Sequence, residues 1–197
     1  MTVKLDKLAR LRKQMAKADL PLKDTANNLV FGHGDPDAKM FFIGEAPGKN
    51  EDLKGLPFIG SAGKHLDVLF DSIKLSREDV YITSILKYRP PNNRPPKINE
   101  IEAHTPFLVK QILIMEPEII LPLGNFATRF VLAAFDSNKM GQVPGISTLH
   151  GEIKKITFKK HSFNVMPLYH PASVLYNFRL KKTLLNDFQV LSKFFKK

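Results

Sequence analysis

The sequence predicts an α/β fold: a three-layer α/β/α sandwich around a central four-stranded parallel sheet. Three observations predict it. Short apolar runs rich in β-branched and aromatic residues alternate with stretches whose apolar positions recur at three- and four-residue steps. Four of those runs read as core strands, and two of them, Met40 to Ile43 and Ile119 to Leu123, are apolar throughout, as strands covered on both faces are. Two of the four empty into polar loops, Gly44-Glu45-Ala46-Pro47-Gly48 and His170-Pro171-Ala172-Ser173, and a parallel sheet sets both loops at one edge.

Taken in order, residues 3–18 form the first helix, with Leu5, Leu8, Leu11 and Met15 on one stripe and Pro21 beyond its end. Residues 21–38 read as loop, because Gly32, Gly34 and Asp35-Pro36 are turn signals. Met40-Phe41-Phe42-Ile43 is the first core strand. Gly60-Ser61-Ala62-Gly63 leads into a helix carrying Leu66, Leu69, Phe70 and Ile73, and a Ser ahead of the first turn suits a cap. Val80-Tyr81-Ile82-Thr83 is the second strand. A stiff, proline-rich stretch follows, with four prolines between 90 and 96. A helix from about Asn99 to Pro117 carries Ile101, Leu108, Ile112 and Met115, and Pro106 is expected to kink it. Ile119 to Gly124 is the third strand, followed by a helix with Phe126, Phe130 and Val131. Residues 136–150 read as irregular, Ile153 to Phe158 as a half-exposed strand, and Phe163 to Tyr169 as the fourth core strand. The last helix spans about 180–194, through Leu184, Leu185, Phe188 and Leu191.

Composition excludes several classes. A chain of 197 residues with 43% apolar content is expected to form one domain, 1–197, with a sizeable core. No apolar run approaches the ~18 to 20 residues of a spanning helix, and charges interrupt the N-terminus where a signal peptide would need an apolar stretch. There is no cysteine, so no disulfide framework, thiolate metal site or iron–sulfur cluster is expected, and a cytoplasmic location is the simple reading. The net charge of +11 favours a polyanion as partner. It is concentrated in Tyr88 to Lys97, where Arg89, Arg94 and Lys97 meet no acid, and beyond Gly151, where ten Lys or Arg face only Glu152 and Asp187. Basic segments of this kind suit a phosphate backbone.

The two polar loops bring Glu45 and His170, about 125 residues apart, to one cleft. Either residue alone has an ordinary structural explanation. Together, on a basic α/β protein, they point toward chemistry at this cleft.

The blocks GEAPGKNED, GLPFIGSAG, YITSILKYRPPNNRPP, PLGNFA and HPASVL resemble, in order and spacing, the family 4 uracil-DNA glycosylases, from about Phe31 to the C-terminal helix. The resemblance implies a four-stranded parallel sheet between helices. It also implies hydrolysis of the deoxyuridine glycosidic bond in single- or double-stranded DNA, in base excision repair. By resemblance, Glu45 holds or deprotonates the attacking water and His170 donates to the departing uracil. Phe58, Ser84, Ala46 and Gly48 surround the base. The candidate DNA contacts are Ser61, Gly63, Lys87, Arg89, Arg94, Lys97 and Ser173. A monomer without membrane contact is expected.

Two departures stand out. The family usually binds an iron–sulfur cluster through four cysteines, and the matching positions here are Met15, Ala18, Tyr88 and His104, so no cofactor is expected. After Tyr81-Ile82-Thr83 the family usually has an Asn that reads the uracil edge, where this chain has Ser84. A hydroxyl is shorter and less directional than an amide. Three readings stay open: a uracil glycosylase, a glycosylase for another deaminated base such as hypoxanthine or xanthine, and a non-catalytic nucleic-acid-binding relative.

Overall fold

The computed structural model describes residues 3–192. Its elements, in chain order, are α1 Val3–Lys17, β1 His33–Gly34, β2 Met40–Gly44, α2 Lys49–Lys54, α3 Ser61–Asp71, β3 Tyr81–Ser84 and α4 Ile98–Met115. They continue with β4 Ile119–Pro122, α5 Gly124–Leu132, α6 Ile146–Leu149, β5 Lys154–Phe158, β6 His161–Val165, α7 Ser173–Tyr176 and α8 Leu180–Leu191.

The strands form one sheet in the order β1-β3-β2-β4-β6-β5. The inner four are parallel, as expected, and every residue of β2, β3 and β4 is buried. The sheet is wider than the sequence suggested, because an antiparallel strand flanks it on each side. At one edge β5 and β6 are joined by Lys159-Lys160 alone, and so short a connection permits only a hairpin. At the other edge the two-residue β1 lies inside the segment read as loop. The predicted fourth strand ends early, at Val165. Pro167 has no N–H for the ladder, although Leu168 N still reaches Pro122 O at 3.0 Å.

Alternation along β2 builds the two cores. Phe41 and Ile43 point into a cluster with Leu8 and Met15 of α1, Leu108 and Ile112 of α4, and Phe130 of α5. Met40 and Phe42 point the other way, against Leu66 and Phe70 of α3 and Phe188 of α8. There the rings of Phe42, Phe70 and Phe188 pack with centroids 5.2 to 6.3 Å apart.

Helix ends differ from expectation in instructive ways. Ser61 is the first residue of α3, and its N-cap is Gly60, which has no side chain to offer. Glu51 of α2 takes that role from across the loop, accepting from Ile59 N at 3.0 Å and Gly60 N at 2.7 Å. The helix α4 continues unbroken through Pro106. Pro106 and Glu102, whose carbonyl loses its partner, are both exposed, so the missing bond falls on the solvent side of the helix rather than in the core. Residues 136–150 contain a 3-10 turn, Ser137–Gln142, and α6. Predicted helix positions 193 and 194 lie outside the described residues. Among the described residues no helix is long and apolar enough to cross a membrane.

The strand order fixes where a ligand would sit. From β2 the chain moves to β3 on one side, then returns to β4 on the other. The switch point lies outside the carboxyl ends of β2 and β4, where open parallel sheets bind their ligands.

Candidate active site

A cleft of about 480 Å³ opens at that switch point. Such a volume suits a small heterocycle with part of its attached sugar. Its wall includes Glu45, Ala46 and Gly48 from the loop after β2, Phe58, Ser84 at the end of β3, and His170 beyond β6. The loop after β2 is tied to the segment after β3, because Ile85 N donates to Gly44 O at 2.9 Å and Leu86 N to Glu45 O at 3.1 Å. Burial pushes the Glu45 carboxyl above its ordinary range, which makes the carboxylate a stronger base than a solvated one.

His170 is held by the backbone around it. Ala172 N donates to His170 Nδ1 at 3.3 Å. An accepting Nδ1 leaves the proton of the neutral ring on Nε2. Burial lowers the His170 pKa, opposed by the negative charge of Glu51, so the neutral ring is favoured. Gly124 makes room for it: a Cβ there would come within 3.0 Å of His170 Cβ, and its φ of +87° suits glycine.

Phe58 faces His170 with ring centroids 5.8 Å apart. Its backbone is in the left-handed region, at φ +53°, which a bulky residue adopts only when its surroundings impose it. Two groups impose it. Glu51 holds the two following N–H groups, as described above. Arg77 donates to Pro57 O, Phe58 O and Gly63 O, and is itself held by Asp67 at 2.6 Å. The ring lies directly over Gly44, where a Cβ would be 2.7 Å from two of its carbons.

Sequence reasoning missed Glu51 and Arg77. The only signal for either was the length of the GLPFIG loop, which needs anchors for its free N–H and C=O groups. It also missed Tyr176 and Phe178, which are 91% and 76% exposed just past the His170 loop. Aromatics inside a basic stretch would have pointed to them.

The predicted DNA contacts divide. Ser61 is exposed on the cleft, and Lys97 is exposed three residues beyond Arg94, which lines it. Arg89 is half-buried and donates to Asn93 Oδ1 at 2.7 Å. Arg94 reaches the cleft, but its guanidinium forms a two-pronged pair with the buried Glu100, so its charge is already matched. Three assignments need correction. Lys87 is fully buried; its Nζ donates to Thr83 Oγ1, and burial drives its pKa well down, so it cannot meet DNA. Gly63 is buried beneath the Phe58 loop. The Ser173 hydroxyl is shut off from solvent.

The positions matching the family's cluster ligands do not fit a cluster. Met15, Tyr88 and His104 are buried and Ala18 is partly buried, and no thiolate is present. Met15 and Tyr88 belong to the apolar core, and His104 packs on Tyr88 with centroids 5.9 Å apart. His104 Nδ1 accepts from Lys87 N at 3.1 Å, which ties α4 to the start of the basic stretch. Among the described residues no group of three or more His, Asp or Glu is placed to hold a metal ion.

Fold and site together define a doubly wound α/β protein whose polar cleft sits at the switch point of the sheet, with a half-buried carboxylate, a neutral imidazole and an aromatic ring in its wall. The model of the uracil DNA glycosylase superfamily matches residues 31–189. The type-4 uracil-DNA glycosylase of Archaeoglobus fulgidus is 42% identical over 94% of this chain and 90% of its own length. Those of Sulfurisphaera tokodaii and Thermotoga maritima are 39% and 38% identical, over 94% and 90% of this chain and 83% and 88% of their own lengths. The chain belongs to the uracil DNA glycosylase superfamily, among its type-4 members.

Proposed function

We propose that the cleft hydrolyses the N-glycosidic bond of a deaminated base, uracil foremost, flipped out of DNA, and leaves an abasic site for base excision repair. The observation that carries this reading is the pairing of a carboxylate of raised pKa with a neutral, Nε2-protonated histidine on one cleft wall, with Phe58 beside the histidine. The relatives' names as uracil-DNA glycosylases support uracil as the base.

The chemistry accounts for each residue type. A base in a duplex is out of reach, so it is extruded, and stacking on Phe58 offsets part of the lost stacking, at ~1 to 3 kcal/mol. Bond cleavage puts positive charge on the sugar and negative charge on the base. Glu45 holds the water and takes its proton as the water oxygen bonds to the sugar C1′; its negative charge also favours the cationic sugar. The base leaves with the bonding electron pair, and His170 Nε2–H donates to the oxygen on which that charge collects. A neutral donor matches the growing charge without attracting anions to the resting site.

Ser84 favours a second reading of the base. It is only 2% exposed yet lines the cleft, so it faces the base edge with a hydroxyl alone. A pocket with that edge discriminates less by hydrogen bonding and accommodates other deaminated bases. One domain carries the reaction without metal or cofactor. It works as a monomer in the cytoplasm, on single- or double-stranded DNA, with Arg89 and Lys97 contacting phosphates and the exposed Tyr176 and Phe178 contacting bases. The test uses oligonucleotides bearing uracil, hypoxanthine or xanthine, followed by alkaline cleavage of abasic sites. Uracil-dependent strand breaks are expected. Binding without breaks on any of the three would replace the enzymatic reading with a binding one.

A further inference from the structure

A second histidine–carboxylate pair lies behind the cleft and takes no part in the chemistry above. Asp187 of α8 is 7% exposed, and its Oδ2 is 2.9 Å from His150 Nδ1. A buried carboxylate with a single side-chain partner is an expensive way to fill space, and apolar residues of equal volume often serve stability as well or better. The backbone is shaped around this pair. Gly151 has φ +74°, and a Cβ there would come within 2.5 Å of Asp187 Oδ1, so the turn fits the carboxylate only as glycine.

His150 is the last link of a short strap. Asn125 Oδ1, in the first turn of α5, accepts from Ile146 N at 3.0 Å, and His150 N closes α6 on Ile146 O at 2.9 Å. Gly151 N donates to Pro167 O at 2.9 Å, and the His150 ring packs on the Tyr169 ring with centroids 4.8 Å apart. The strap therefore grips the segment Pro167 to Tyr169 at two points, immediately before His170. Its other end is fixed one residue from Gly124, the position against which His170 itself rests.

We infer that the Asp187–His150 pair is a positioning device: it fixes Tyr169 from behind and thereby sets the direction in which His170 presents Nε2 to the leaving base. Neither residue touches substrate in this scheme. The inference rests on the proposed role of His170. It explains why a polar pair stands where packing alone would do: a hydrogen bond fixes one ring orientation, whereas an apolar contact allows several. A donor displaced by about 1 Å loses rate by up to ~10²-fold without loss of binding.

The test compares wild type, His150→Ala, His150→Gln and Asp187→Asn. Three quantities are measured on each: the single-turnover rate on a uracil oligonucleotide, the Kd for the same oligonucleotide carrying an uncleavable 2′-fluoro-deoxyuridine, and Tm. The His170 ring nitrogen resonances give a fourth quantity that does not depend on turnover. The expected outcome is a rate loss of ~10- to 100-fold in His150→Ala. Kd should stay within about twofold, in line with a group remote from substrate. His150→Gln, whose amide still donates to Asp187, should recover most of the rate. The His170 resonances should broaden or shift in His150→Ala and return in His150→Gln. If His150→Ala does not fold, Asp187→Asn carries the comparison, since it preserves volume and removes the charged acceptor. Unchanged rates with unchanged His170 resonances overturn the inference, as does a rate loss matched by His150→Gln or explained by Tm alone. An inactive wild type would overturn the proposed function instead, and the resonances would still decide whether the pair orients His170.

Discussion

At the scale of single residues, small side chains set the cleft's shape as much as the reacting ones do. Gly44 lets the Phe58 ring lie flat against the end of β2, and the ideal Cβ position on Gly44 is also only 3.2 Å from Ser84 Oγ. Glycine, phenylalanine and serine thus form one packed corner. Glu45→Ala is expected to lower the single-turnover rate by ~10² to 10³-fold with DNA binding intact, since it removes a preorganised charge at the developing cation. A wild-type rate in that variant would show that Glu45 carries no step. Ser84→Asn would add an amide able to pair with both donor and acceptor of the uracil edge, and a bidentate contact is worth ~1 to 3 kcal/mol of discrimination. The crowded corner opposes it with an overpacking cost of ~1 to 3 kcal/mol. The ratio of uracil to hypoxanthine rates separates the two effects, because overpacking alone slows both. A rise in that ratio is expected; an unmoved ratio with both rates slowed would show overpacking alone, and an unmoved ratio with both rates at wild-type level would mean that residue 84 does not face the base.

At the scale of elements, the basic stretch between β3 and α4 is a braced loop. One end is fixed by Lys87 N on His104, the other by Arg94 on Glu100 and by Lys97 N on Glu100 Oε2 at 2.8 Å. Arg94 chiefly serves the fold. Its guanidinium holds the Glu100 carboxyl below its ordinary range, and removing it leaves a buried acid unpaired. Arg89 donates to Asn93 and the Lys97 side chain adds only its charge near Glu100, so neither holds the buried acid in a direct ion pair. Arg89→Ala with Lys97→Ala should weaken DNA binding about equally for all sequences and reduce the slope of log K against log salt by about 2, one unit per phosphate contact. Arg94→Ala should instead lower Tm. Equal losses of Tm in both variants would show that the whole loop is structural.

At the scale of the molecule, the space that corresponds to a metal cluster in the resembling family is filled by packed side chains here, and its histidine makes the fold acid-sensitive. Burial lowers the His104 pKa from 6.5 to about 4. The unfolded chain therefore binds a proton at higher pH than the folded one does. Stability from this residue is complete above about pH 6.5 and is lost as pH falls from there to about 4, by up to ~3 kcal/mol. Denaturant midpoints measured across that window should fall steeply, and His104→Gln should flatten the dependence. An equally steep fall in His104→Gln would assign the acid sensitivity to other groups.

The sequence by itself determined the central parallel strands, the helices on both faces, the missing thiolates, and the meeting of Glu45 and His170 at one edge. These follow from local signals: β2 is a continuous apolar run, α3 and α8 repeat at helical spacing, and a parallel sheet leaves its strand-end loops nowhere else to go. Tertiary structure alone decided what spacing does not encode. The burial of Lys87 depends on which face of the sheet α4 covers, and a lysine in a basic stretch looks the same in sequence whether it points in or out. The left-handed backbone of Phe58 depends on Glu51 and Arg77, one on each side of it in sequence, whose side chains reach its loop through hydrogen bonds. The pairing of His150 with Asp187, 37 residues apart, depends on α8 packing beside the strap that α6 begins. Apolar periodicity reports how much surface an element buries. Which polar groups then face one another is set by how the layers are docked, and that geometry exists only in the folded chain.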